Sequence, residues 1–396
     1  MKKIVVLLGA GFSFPAGLPL ANDIRARFDR IQKGKLLRMS SGEWMWEDGK
    51  DDTTIHNGHL GFDQLAYSYI LDEIVKTYNR EVEDFDNYEV FFAFVMDKFK
   101  DMDWFKAVYG RAKATLIIDK PYLIDEPIPH SDYLSLFDRD PYLEQLVQII
   151  NYLISDLLFI NGNKIDKAFP KYQRFLEYID QFDQADIYTL NHDVLLEGLL
   201  QRAGLSYSRG FTTENSEIQY EDQPLKVFKN DFTEKIRIHK LHGSLDYFRF
   251  EHFEDRGRMF LQSTGKYNYF MTNNYRAKHY ATRVDPKTKK VIQDMNFDIT
   301  PKFITGRSKT EIINNDIMYS QLLENFKSSI ADTEKLLISG YSFGDEHIND
   351  ELKKRTNLSV VNQNPFEDYP FEADKNITID SLDELKNYID ILNKEK

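Results

Sequence analysis

Apolar and polar positions divide the chain into three regimes. Lys2 to Leu8 is short, apolar and bounded by glycine, which predicts a buried strand, and "PLANDIRARFDRI" behind it reads as a helix. From about residue 35 to 60 the pattern dissolves into polar and aromatic loop. Helical spacing then governs a long stretch: Phe62, Leu65, Ala66, Tyr69, Ile70 and Ile74, then Tyr88, Phe91, Phe92, Val95 and Phe99. It returns at Leu143, Leu146, Val147, Ile150, Leu153, Ile154, Leu157 and Leu158. Stripes of this kind predict helix–helix core. Strand-like runs resume at "DIYTL" (186–190), "IRIHKL" (236–241), "KLLISG" (335–340) and "LSVV" (358–361), with a short "PKFIT" between the second and third. Helices are predicted at "DVLLEGLLQRAG", around 311–328, from His347, and near 381–393; residues 246–300, rich in aromatics, lysine and turns, predict hairpins. Strands alternating with helices imply an α/β fold, a doubly wound parallel sheet with a large helical insertion between its first and second strands. The expected division is 1–34 with 185–396 for the sheet domain, and 35–184 for the insertion.

Composition narrows the class. The 396 residues are 42% aliphatic and aromatic, with 23 Tyr and 29 Phe, as in a globular protein. Lys and Arg number 51 against 64 Asp and Glu, a net charge of −13. That acidity argues against general affinity for a nucleic-acid backbone, and no sequence-specific nucleic-acid binding is expected, although local basic patches stay open. The absence of cysteine excludes disulfides, a thiol nucleophile and Cys-ligated zinc. The apolar start is too short for a signal peptide, and no run approaches the ~18 apolar residues of a membrane span. A soluble, cytoplasmic protein is expected, with no membrane partner.

The first strand ends in "GAGFSFPAG". In parallel α/β sheets the first strand-to-helix turn often holds a pyrophosphate: glycines let the backbone approach, and the helix start supplies free N–H groups. Gly9, Gly11 and Gly17 with Ser13 suit that work, but the spacing departs from G-x-G-x-x-G and no acidic residue ends a second strand about twenty residues on. Hydride transfer is therefore disfavoured. Three further polar clusters end predicted strands: "TLNHD" (189–193) with Asn191 and Asp193, "KLHGS" (240–244) with His242, and "SGYSFGDEHIN" (339–349). "VVNQN" (360–364) adds Asn362. Polar clusters on successive strand ends converge on one rim, the edge where open α/β sheets bind ligands.

In this order, GAGFS…GLP, TLNHD, KLHGS and GYSFGDEHI resemble the sirtuin family, particularly the sirtuin-like domains of bacterial antiphage defence; the likeness covers roughly 1–30 and 185–365 and leaves the helical block aside. The resemblance implies a Rossmann-like domain without a zinc ribbon that takes NAD as substrate and breaks its nicotinamide–ribose bond. It assigns catalysis to Asn191 and His242. A neutral amide can fix a water or ribose hydroxyl without repelling an oxocarbenium-like sugar, and an imidazole can take the hydroxyl proton. Gly9, Ala10, Gly11, Phe12 and Ser13 are expected to line the pyrophosphate and nicotinamide-ribose pocket, and Pro19 to belong to the loop closing over nicotinamide. Gly340, Tyr341, Ser342 and Phe343 are expected at the phosphates or ribose, and Asn362 at the adenosine side. Asp193 reads equally as ribose ligand or helix N-cap, and Asp345 as an N-cap. Structural roles are expected for His192, His239 and His347, while His56, His59, His130, His252 and His279 lack metal-ligand spacing, so no metal site is assigned. With no cysteines for zinc and no peptide-binding stretch after His242, water is the expected acceptor, making the protein an NAD hydrolase. The alternatives are a protein deacylase or ADP-ribosyltransferase, or an inactive subunit that binds NAD or ADP-ribose during assembly. The resemblance further implies NAD depletion during phage infection, homo-oligomerisation, and a separately encoded hexameric ATPase or DNA translocase as partner, with the helical block as assembly surface or lid.

Overall fold

A computed structural model describes residues 2–31, 35–39, 42–47, 62–82, 87–121, 137, 143–255, 261–294, 300–306, 309–333, 336–355, 358–362 and 375–378. The predicted closing helix near 381–393 and residues His56, His59 and His130 lie outside these. The chain divides into two compact units: Met1–Leu18 with Phe159–Ile304 and Lys309–Lys396, and Pro19–Leu158 with Thr305–Ser308.

The first unit is built on seven strands: β1 (Lys3–Leu8), β2 (Gln184–Thr189), β3 (Tyr207–Ser208), β4 (Ile236–Lys240), β5 (Leu336–Ser339), β6 (Leu358–Asn362) and β7 (Lys375–Thr378). They lie in the order β7-β6-β5-β1-β2-β4-β3, and every pairing is parallel. Because side chains alternate across a strand, β1 feeds two cores at once. Ile4, Val6 and Leu8 join a cluster with Tyr172, Phe175 and Ile179 of the helix α2 (Gly162–Asp180) and with Leu195 and Leu199 of α3 (Leu195–Ala203). Val5 and Leu7 face the other side, among Leu322 and Phe326 of α5 (Ile317–Asp332) and Ile348 and Leu352 of α6 (Glu346–Leu352). Helices on both faces of a parallel sheet make this a Rossmann-like, doubly wound α/β fold.

Strand order reverses beside β1. On one flank the chain runs through β2 to β3 at the edge and returns to β4 between them, then crosses to β5 on the other flank. The segments leaving β1 and β5 accordingly diverge: Phe12 enters the core on one face, Ile348 the core on the opposite face. Such a switch point opens a crevice at the carboxyl ends of the strands.

A second sheet takes Gly210–Thr212 and Lys226–Asp231 from the chain before β4 and Tyr247–Asp255 and Leu261–Met271 from the chain after it; the last two form an antiparallel hairpin within the stretch where hairpins are predicted. "PKFIT" yields only Lys302–Phe303, which pairs with Gly243–Ser244 rather than joining the main sheet.

The second unit contains helices Ala21–Asp29, Phe62–Glu81, Tyr88–Asp97, Met102–Asp119 and Leu143–Leu158. Its core is aromatic, with Phe28 packed against Trp46 and Phe91, and the Arg25 guanidinium over the rings of Tyr78 and Phe91. Part of the stretch read as loop is a hairpin instead, with Leu36–Arg38 antiparallel to Trp44–Trp46. Its apolar residues explain it: Leu36, Leu37, Trp44 and Trp46 are all buried, and Trp46 donates its indole N–H to the Leu153 carbonyl at 3.0 Å. The observed boundaries at 18/19 and 158/159 differ from the expected 34/35 and 184/185. Helix α2 sits with the sheet because its apolar face completes the β1 core. Among the described residues no single helix is long and apolar enough to cross a membrane.

Candidate active site

Leu8 pairs in register with Thr189 and with Ser339, and Thr189 with Lys240. The residues just beyond these four positions therefore emerge along one edge: Gly9, Asn191, His242 and Gly340. Parallel pairing places Asn191 and His242 each two residues past the Thr189–Lys240 pair.

The glycine bend is locked to the β5 loop. Gly9 donates its N–H to the Ser339 carbonyl at 3.0 Å, and Gly11 to the Gly340 carbonyl at 2.9 Å. A Cβ on Gly340 would stand 2.1 Å from the Phe12 nitrogen, and one on Gly9 would stand 2.4 Å from the Gly340 oxygen. Gly340 also has φ +65, where side chains are strained. The glycines thus permit two backbones to cross, and the N–H groups of Gly9 and Gly11 are spent on that crossing rather than left for phosphate. Ala10 and Ser342 remain exposed on its two sides.

Behind the bend, a hydroxyl ties the loops together. Asn191 donates its amide N–H to the Gly9 carbonyl at 2.9 Å and to Ser13 Oγ at 3.0 Å, and Ser13 donates to Asp193 Oδ2 at 2.9 Å. Asp193 Oδ1 accepts the Leu195 N–H at 2.9 Å, so it supports the start of α3 as well as the site. Burial pushes its carboxyl above the usual range. Phe12 turns away from the rim: it is 1% exposed and meets Tyr172 and Phe175 edge-on, and its carbonyl accepts the Tyr172 hydroxyl at 2.6 Å. Its side chain is core, so it could reach a ligand only through its backbone. Tyr341 is likewise committed, its hydroxyl bonded to Asp345 and Asn349. Phe343 carries an unusual φ of 57°, its carbonyl held by the Asn349 amide at 2.7 Å. Asn362 closes β6 opposite Thr378 of β7, and Pro19 begins the second unit.

His242 is 2% exposed, and its Nε2 has no hydrogen-bond partner among the described residues. Burial, reinforced by the charge of Lys309 and by His192 and His347, holds its pKa well below the ordinary histidine value. The nearest acid is Asp345, whose Oδ1 lies 3.9 Å from Nε2 and accepts Lys309 Nζ at 2.8 Å. Asp345 stands at the N-cap position of α6 without a side-chain capping bond, so its predicted capping duty is unfilled. His347 lies with its ring 5.8 Å from that of His242. His192 is tilted against Phe303 at 4.7 Å, and burial lowers its pKa to about 3. His239 is structural, stacked between Tyr188 and Phe232 at 4.3 and 4.0 Å.

Beneath the rim runs a buried ionic network invisible in the local pattern. Arg209 binds Asp246 through both terminal nitrogens, at 2.6 and 2.9 Å, and lies 3.3 Å from Glu197. Lys240 lies 3.4 Å from Glu197 and donates to the backbone carbonyls of Asn191, at 3.2 Å, and Asp193. The network joins the two loops that carry Asn191 and His242. Arg209, Lys309 and Asp345 are the functional candidates that sequence reasoning missed or placed in another role. Among the described residues no group of three His, Asp or Glu could hold a metal ion.

Residues 185–366 match the family model for a SIR2-like domain. Among solved structures, a Sir2 homologue in complex with NAD aligns at 12% identity and a TM-score of 0.34, covering 99% of this chain and 90% of that one. Sir2Tm bound to a propionylated peptide aligns at 10% identity and a TM-score of 0.31, covering 98% and 93%. Neither likeness is close enough to transfer residues. No curated protein matches the chain. The residues matched by the SIR2-like family model carry Asn191, His242 and the Gly340 loop.

Proposed function

We propose that the protein is an NAD glycohydrolase, cleaving the nicotinamide–ribose bond to give nicotinamide and ADP-ribose. A SIR2-like domain is that of an NAD-dependent enzyme family. The observation that carries the reading is the placement of Asn191 and His242 at equal depth beyond adjacent parallel strands, beside the crevice where strand order reverses. Ala10 and Ser342, both exposed, flank the glycine crossing and are the proposed contacts for the diphosphate. Asn191 keeps its amide oxygen for a water or ribose hydroxyl, since its N–H groups already hold Gly9 and Ser13. His242, kept neutral by burial, is in the form that accepts a proton as the ribose cation develops.

Water rather than a peptide lysine is the proposed acceptor. The segment just after His242, Gly243–Ser244, is already paired with Lys302–Phe303, which takes up a strand edge that an extended peptide would use. Following the sirtuin-like defence proteins it resembles, the chain is proposed to act as an antiphage effector that depletes NAD. It would work as a homo-oligomer with a separately encoded ATPase or translocase, the Pro19–Leu158 unit serving as assembly surface.

Purified protein incubated with NAD, alone and with a candidate partner, is expected to release equal amounts of nicotinamide and ADP-ribose without any peptide. Asn191→Ala and His242→Ala are each expected to lower the rate by about a hundredfold or more. Release that needs an acylated peptide would favour the deacylase, and release unchanged in both variants would remove the assignment.

A further inference from the structure

A general base works best with a pKa near the working pH, yet His242 is buried beside a lysine and two other imidazoles. The groups around it are His192 from the loop after β2, Lys309 at the start of α4 (Lys309–Asn315), and Asp345 and His347 from the entry of α6. Only one of these is an acid. Asp345 is an odd N-cap: its side chain makes no capping bond, and its backbone N–H and carbonyl are engaged by the Tyr341 hydroxyl at 3.1 and 3.2 Å. With the backbone anchored, the carboxylate is directed instead at Lys309, 2.8 Å away, and at His242 Nε2, 3.9 Å away, through the same oxygen.

We propose that Asp345 and Lys309 are paired positioning residues for His242: Asp345 orients the imidazole and stabilises its protonated form, while Lys309 holds that carboxylate back so that the resting imidazole stays neutral. An Nε2–H facing Asp345 leaves the lone pair on Nδ1. When a ribose hydroxyl or water loses its proton, the proton moves to Nδ1 and the imidazolium shares Asp345 with Lys309. The crowding explains why a carboxylate suited to capping is left uncapped: the helix start forgoes a bond so that the acid can face the histidine.

The inference rests on the proposed role of His242 but can be tested apart from turnover. In protein carrying 13C-labelled histidine Cε1, the His242 resonance is assigned with His242→Gln and titrated in the absence of NAD. Lys309→Gln should raise its pKa by about one unit or more, a tenfold gain in proton affinity, because the carboxylate is released and a cation removed. Lys309→Arg should restore wild-type titration. Asp345→Asn should leave the pKa as low as wild type or lower, and cut kcat about a hundredfold with KM changed less than about twofold. A His242 titration that ignores Lys309→Gln, or rises in Asp345→Asn, overturns the pairing even if the enzyme is active. A wild type that releases no nicotinamide overturns the hydrolase reading and leaves the titration to decide the pairing by itself.

Discussion

Gly340 and Gly17 both sit in the left-handed region, at φ +65 and +80, but they carry different burdens. A Cβ on Gly17 meets nothing within 4 Å, so Gly17→Ala should cost only about 1 kcal/mol of backbone strain. A Cβ on Gly340 collides with the Phe12 nitrogen and the Gly11 backbone, neither of which can turn aside. Gly340→Ala is therefore expected to cost about 3 kcal/mol or more and to disturb the Asn191 contact to Gly9, because both loops must part. Urea midpoints of the two variants decide this, and equal losses would mean that the crossing is not tight. A glycine at the end of a strand is legible in a sequence; the backbone it must let past is not. The bend after β1 was expected to free N–H groups for phosphate, and its partner, over three hundred residues on, turns out to take up two of them.

At the scale of elements, the strand ends were readable because polar motifs interrupt apolar runs, and parallel register then aligns them without further instruction. The ionic layer beneath them was not. Arg209 and Asp246 lie 37 residues apart and belong to no motif, so nothing local marks them as a pair. The same limit moved α2: its apolar stripe looks like those of the helical insertion, and only its packing on β1 and β2 shows where it belongs. Arg209→Met should cost about 3–5 kcal/mol, since it leaves the buried carboxylates of Asp246 and Glu197 facing Lys240 alone. Adding Asp246→Leu should recover part of that loss, because an apolar pair needs no counter-charge. Chemical unfolding of the single and double variants gives the comparison, and a double variant less stable than Arg209→Met would show that the network is not acting as a charge balance.

For the molecule as a whole, burying so many histidines makes stability depend on pH in a definite direction. His192, His239 and His242 all have folded pKa values below the ordinary one, chiefly through burial. Below about pH 6.5 the unfolded chain therefore binds protons that the folded protein refuses, so stability is full above that pH and falls as the solution is acidified. His192, lowered to about 3, spans the widest window with a defined limit. Through that window it should contribute a slope of about 1.4 kcal/mol per pH unit, or about 2 kcal/mol lost by pH 5. Asp246 acts later: burial pushes its carboxyl up, but the charge and hydrogen bonds of Arg209 outweigh that and hold it below its ordinary value, so its contribution disappears only as pH falls through that depressed value. The two windows can be separated with His192→Phe, which keeps a ring against Phe303 and removes the titrating nitrogens. Between pH 6 and 4 the variant should lose stability less steeply than wild type by about 1.4 kcal/mol per pH unit, with the curves converging in slope above pH 7. Denaturant midpoints measured across that range supply the slopes, and parallel curves for variant and wild type would mean that His192 takes up its proton in the folded protein as readily as in the unfolded one.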